Sequence, residues 1–138
     1  MNWHKHMPER YDGIPIKFIG NEKAVFAVFN NKQISAETKK EAFKMAKLII
    51  NPAKYFRNTY MGNLYSAYKG ESMSKKYKVL LGNLINALKR DELSRFIKIC
   101  NIDIRGQDYW EELDELCGLF HLIHDDINKM KSLKERGY

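Results

Sequence analysis

Cys117, His121 and His124 recur at positions i, i+4 and i+7, with Asp125 beside them. On a helix that spacing lines a thiol and two imidazoles along one flank. These are zinc ligands, but a tetrahedral site needs a fourth, and the chain offers one only at a distance, from Cys100 or from His4 and His6. The same flank borders an apolar seam, where Cys behaves as a small hydrophobe. The expectation is therefore a packed helix flank and no metal or other cofactor. His4 and His6 sit beside Trp3 in a stretch without periodicity and read as loose or partner-contacting.

Paired acids are the next candidates for chemistry. Asp125-Asp126 and the group Glu111, Glu112, Asp114 and Glu115 suggest acid/base work or Mg²⁺ binding. Adjacent acids on a helix point about 100° apart, and the second group falls where a helix begins, which the helix dipole favours. No phosphate-binding glycine loop, dinucleotide fingerprint, nucleophile elbow or Cys-x-x-Cys is present. Nothing in the sequence argues for catalysis, and the expectation is a binding protein rather than an enzyme.

The lysines carry the strongest signal. Net charge is +7, and from Thr38 to Arg90 there are twelve Lys/Arg against only Glu41 and Glu71. From Gln107 to Tyr138 the balance reverses, with four bases and eight acids. Such a field attracts polyanions and says nothing about fold. Projected on helices, Lys40, Lys44 and Lys47 fall together. Lys54, Tyr65 and Lys69 form a second strip, and Lys75, Lys78 and Lys89 a third. Tyr55 and Tyr65 lie off the apolar stripe of their helix. Lysines neutralise phosphates, and exposed tyrosines stack on unpaired bases. These ten residues (Lys40, Lys44, Lys47, Lys54, Tyr55, Tyr65, Lys69, Lys75, Lys78 and Lys89) are the expected nucleic-acid contacts. A solvated face is the plain alternative, since amphipathic helices carry charge outward anyway.

The elements that must position these groups are read from periodicity. Residues 1–13 look like an irregular arm. Ile14–Ile19 and Ala24–Phe29 alternate as two strands joined through Gly20-Asn21-Glu22-Lys23, and Asn30-Asn31 makes a second turn. Ser35 is the expected cap of a helix over 36–50. Asn51-Pro52 then starts a second helix with Phe56, Tyr60, Leu64 and Tyr68 on its stripe. A third helix begins at Ser72 or Ser74 and buries Tyr77, Leu80, Leu81, Leu84 and Leu88. Asp91 is expected to cap a short fourth. The stretch Leu80–Ile99 invites comparison with a helix-turn-helix, but its turn lacks glycine and its second helix offers only Arg95 and Lys98 for base reading. The last helix, from Asp108 to about Lys134, spaces Leu113, Leu116, Phe120, Ile123, Ile127 and Met130 as an a/d seam, suited to a bundle or to a homodimer.

The fold expectation is α+β and predominantly helical: one domain over 1–138, with a short N-terminal β-hairpin (14–34) packed on a four- to five-helix bundle (35–138). At 138 residues one core suffices without disulfide staples. Two distant cysteines make no disulfide framework. No signal-like or membrane-length apolar run occurs, which makes a cytoplasmic location the expectation. The expected function is association with DNA or RNA, as a small subunit of a nucleoprotein complex. The competing reading is an inhibitor of the phage or mobile-element type that blocks a host nucleic-acid-handling machine. It would use the same basic face on an acidic protein surface, or Trp110 and the last helix as an anchor.

Overall fold

A computed structural model describes residues 9–21, 23–70, 75–102 and 117–138. In chain order these form β1 (Glu9–Tyr11), β2 (Ile14–Gly20), β3 (Val25–Phe29), β4 (Lys32–Ala36), α1 (Lys39–Ile50), α2 (Pro52–Tyr68), α3 (Lys75–Lys89), α4 (Leu93–Ile102) and α5 (Cys117–Glu135). The protein is α+β and mostly helical, as expected. The chain divides into two compact units, 1–52 with 129–138 and 53–128.

The first unit holds a four-stranded antiparallel meander in the order β1-β2-β3-β4, where a hairpin was expected. Two turns explain the extra strands. Asp12-Gly13 and Asn30-Asn31 all have positive φ, which is the backbone of the two-residue hairpin turn whose twist matches the strands. Tyr11 therefore pairs with Ile14, and Phe29 with Lys32. The expected irregular arm thus contains β1 at 9–11. Between β2 and β3 the Asn21 side chain accepts from the backbone N–H groups of Lys23 and Ala24, at 2.8 and 3.0 Å.

The ladder continues to a Val25–Ala36 pair, so Ser35 and Ala36 are strand residues rather than the start of a helix. The cap of α1 is Thr38, whose Oγ1 accepts from the Glu41 N–H at 3.1 Å. One face of the sheet is buried: Ile16 and Phe18 from β2, Val25, Ala27 and Phe29 from β3, and Ile34 from β4. Against it α1 sets Ala42 and Ala46, small side chains that let helix and sheet approach closely. The Phe18 and Phe43 rings meet edge to face at 5.7 Å, the geometry that aromatic quadrupoles favour.

The second unit is helical. Phe56 on α2 lies at its centre, with ring contacts to Tyr55, Tyr60 and Phe96 at 5.5 to 5.9 Å. Tyr77, Leu80, Leu81, Leu84 and Leu88 of α3 are all buried, as their spacing predicts. Phe120, Ile123 and Ile127 of α5 are buried too. Those seam positions face the chain's own interior, while Leu113 and Leu116 of the same seam lie outside the described residues.

Asp91 does not cap α4. It takes φ 56° just after α3, and the N–H groups of Asp91 and Glu92 return to the carbonyls of Leu88 and Ala87. This is the left-handed helix stop that glycine usually makes, and Arg57 of α2 forms an ion pair with the Asp91 carboxylate. The expected helix starts at Ser72 or Ser74 and at Asp108 lie outside the described residues, as do His4, His6 and Trp110. Among the described residues no helix is long and apolar enough to cross a membrane.

Candidate functional site

On α2 the residues Lys54, Asn58, Tyr65 and Lys69 share a strip, and on α3 Lys75, Lys78, Gly82, Asn86 and Lys89 do so, by the 100° turn per residue. The structure brings these two strips to one place. The ammonium of Lys69 lies 5.3 Å from the centre of the Tyr65 ring, and that of Lys89, arriving from α3, lies 5.7 Å from it. Both distances fall within the range in which a cation is attracted to the ring face. Tyr65 is 37% exposed, and Lys69 and Lys89 are exposed as well. Among the described residues no acid forms an ion pair with either lysine. Of the described acids just past the end of α3, Asp91 holds Arg57, and Glu92 holds Arg95 at 3.2 Å.

The antiparallel course of α2 and α3 accounts for the meeting. Arg57 near the start of α2 reaches Asp91 just past the end of α3, while Tyr68 at the end of α2 lies against Gly82. Tyr65, between them on α2, then falls within reach of the long Lys89 side chain. Of the remaining expected contacts in this unit, Lys75 is exposed, and Lys54 and Lys78 are half-buried.

Tyr55 is a correction. It was expected off the core, but it is only 6% exposed and its hydroxyl donates to Asp126 at 2.8 Å. The Tyr60 hydroxyl donates to the same carboxylate and also lies 3.1 Å from the Leu122 carbonyl. Asp126 is itself 3% exposed. Burial first, and the Asp126 carboxylate second, push both phenols well above the ordinary tyrosine range, because an ionised phenol there would lose water and face a second anion. This network is structural: it leaves no ring of Tyr55 for a ligand. Asp125, next along α5, is exposed, so the two adjacent acids point apart and form no pair. Tyr68 is the converse correction, since it was expected on the buried stripe and is 41% exposed.

The lysines of α1 belong to the other unit and have a different setting. Lys40 is exposed, whereas Lys44 and Lys47 are half-buried. The Lys47 ammonium sits 4.1 Å from the centre of the Phe43 ring and 6.0 Å from that of Tyr11. Burial lowers its pKa, with the Glu9 carboxylate working against that. Lys39 is held by Glu9 at 3.4 Å and by the Phe18 ring. A depression of about 530 Å³ at the start of α1 is lined by Ala36, Glu37, Thr38, Glu41, Met45 and Lys129. Glu41 and Lys129 form an ion pair there, and Glu37 adds a further carboxylate to its lining.

Of the candidate metal flank, His121 is exposed and His124 half-buried, while the Cys117 side chain is not among those described. Among the described residues no group of three His, Cys, Asp or Glu is placed to hold a metal. Cys100 is buried. Sequence reasoning missed the Asp126 network, the exposure of Tyr68 and the meeting of Lys69 with Lys89. Only the second had a signal, in the position of Tyr68 at the last residue of its helix. Comparison of the chain with protein-family models, curated proteins and solved structures finds no match.

Proposed function

We propose that this protein binds nucleic acid without acting on it chemically, through the face that α2 and α3 share. The observation that carries the reading is the Tyr65 ring with the ammoniums of Lys69 and Lys89 both beside it and, among the described residues, no acid paired to either. Two cations fixed about an exposed ring form a preorganised anion site, since the ring restrains flexible side chains that would otherwise lose entropy on binding. Lys75 and Lys78 extend the same α3 strip and add charge along it. Phosphate contacts of this kind release counterions and give affinity that falls with salt. The lysines of α1 support the reading less, because Lys47 is turned to Phe43 and Tyr11.

Fluorescence anisotropy with labelled oligonucleotides of about twenty nucleotides tests this, at about 50 mM salt and upward. The wild type is expected to bind and to weaken as salt rises. The double reversal Lys69→Glu with Lys89→Glu is expected to lose about tenfold or more, since it removes two phosphate contacts and adds two repulsions. Lys40→Glu, in the other unit, is the control and is expected to change affinity little. Absence of binding by the wild type at low salt, or full affinity in the double reversal, refutes the proposal. Binding to an acidic protein in place of nucleic acid also refutes it and returns the inhibitor reading.

A further inference from the structure

The face described above carries more apolar surface than phosphate binding needs. Among the described residues the exposed large hydrophobic side chains are Ile19, Tyr65, Tyr68, Val79 and Leu122. Three of those five lie on α2 and α3. Tyr65 and Tyr68 are i and i+3 on α2, so their side chains are neighbours, with Cβ atoms about 5–6 Å apart. Val79 sits one turn before Gly82 on α3 and is 58% exposed.

The Tyr68 ring edge lies against α3 at Gly82. The Tyr68 Cε2 atom comes 3.6 Å from where a Cβ on Gly82 would stand, so the ring edge lies over a part of α3 that has no side chain. Tyr65 is flanked by two ammoniums. No ring contact of this kind with a cation involves Tyr68 among the described residues. The two tyrosines thus differ in role: one gathers the positive charge, and the other offers an uncharged aromatic surface beside it.

We infer that the ligand of this face is a single strand, with an unpaired base stacking on Tyr68 while Lys69 and Lys89 hold the adjoining phosphates. The inference rests on the nucleic-acid reading above and deepens it. A duplex keeps its bases stacked inside and presents phosphates outward, so it leaves Tyr68 and Val79 uncovered. An unpaired strand covers them, because every base has an apolar face and stacking on an aromatic side chain tolerates any sequence. The two ammoniums beside the Tyr65 ring, with no acid paired to them among the described residues, select a polyanion over an apolar partner. DNA and RNA single strands share this chemistry, and both belong in the test.

The test compares oligo(dT), oligo(U), a duplex, an abasic deoxyribose-phosphate strand and poly-glutamate, all at equal length and salt, by anisotropy. The wild type is expected to bind oligo(dT) or oligo(U) about fivefold or more tighter than the abasic strand, the increment that one stacked base provides. Tyr68→Ala is expected to erase that preference and leave abasic and duplex binding unchanged, while Tyr68→Phe keeps it. Circular dichroism confirms that both variants fold. If the wild type binds abasic strand, duplex or poly-glutamate as tightly as oligo(dT), stacking is refuted while charge-based binding stands. If it binds none of them, the nucleic-acid reading itself has failed. The wild-type comparison decides the matter even where a variant does not fold.

Discussion

The deepest prediction concerns the buried carboxylate of Asp126. It is almost fully enclosed and accepts from the hydroxyls of Tyr55 and Tyr60. A hydrogen bond to a charged group contributes about 1.5–3 kcal/mol, and leaving a buried acceptor short of a donor raises the cost toward the upper end. Tyr60→Phe is therefore expected to destabilise the protein by about 2–3 kcal/mol, and Tyr55→Phe by about 1.5–2.5 kcal/mol. Because both hydroxyls serve one carboxylate, the double variant is expected to depart from additivity by more than about 0.5 kcal/mol. The pH dependence adds an independent readout. Both phenols are raised above their unfolded value of 10.0, so the folded state keeps protons that the unfolded state releases. The stabilisation is complete below pH 10 and is lost as pH rises above it, with a limiting slope of about 1.4 kcal/mol per pH unit for each tyrosine. Urea denaturation followed by circular dichroism at pH 7, and again between about pH 9 and 11, measures both effects, and Tyr60→Phe is expected to reduce the alkaline slope. Phenylalanine variants within about 0.5 kcal/mol of the wild type at neutral pH, or an alkaline slope unaltered by Tyr60→Phe, refute the network.

Two further predictions concern the backbone. Gly62 lies inside α2 with open space where a Cβ would go, so Gly62→Ala is expected to stabilise by about 0.8–1 kcal/mol in the same denaturation assay, and a loss of stability contradicts that open space. Asp91→Gly and Asp91→Ala both remove the exposed Arg57 ion pair, so their difference isolates the backbone term. The alanine variant is expected to be about 1–2 kcal/mol less stable at φ 56°, and equal stabilities contradict the left-handed turn.

Local signals were legible where one residue pair decides the geometry. Asn30-Asn31 reads as a turn because asparagine tolerates positive φ, and Pro52 opens its helix as its position suggests. The apolar face of α3 is legible because Tyr77, Leu80, Leu81, Leu84 and Leu88 repeat cleanly. Asp12-Gly13 carried the same turn chemistry as Asn30-Asn31, but the short β1 before it shows no alternation over three residues. Ser35 misled because serine suits both a strand exterior and a helix cap, and only the register with Phe26 decides between them. Tyr55 and Tyr68 exchanged their expected places for a related reason. A helical projection ranks faces within one helix, and α2 distributes aromatic residues around much of its circumference. Which side is covered depends on its neighbours: Asp126 on α5 draws in Tyr55, while Tyr68 meets α3 only edgewise at Gly82 and stays 41% exposed. The approach of Lys89 to Tyr65 depends on the register of two helices and has no signature in either helix alone.

The lysines set a quantitative limit on the proposed binding. If all eight lysines expected from the sequence contacted phosphates of a single strand, log K would fall with log salt at a slope near −5.6, at about 0.7 per contact. The structure argues for fewer. Lys47 is half-buried over the Phe43 ring, and moving it outward would give up a contact at 4.1 Å. Lys40, Lys44 and Lys47 all stand on α1, which belongs to the other compact unit. Two to four contacts, from Lys69, Lys89 and the α3 strip of Lys75 and Lys78, give a slope of about −1.4 to −2.8. Lys69→Ala and Lys89→Ala are each expected to shallow that slope by about 0.7, whereas Lys40→Ala leaves it unchanged. A wild-type slope near −5 places the α1 lysines on the ligand as well, and it refutes the assignment of binding to the α2–α3 face alone.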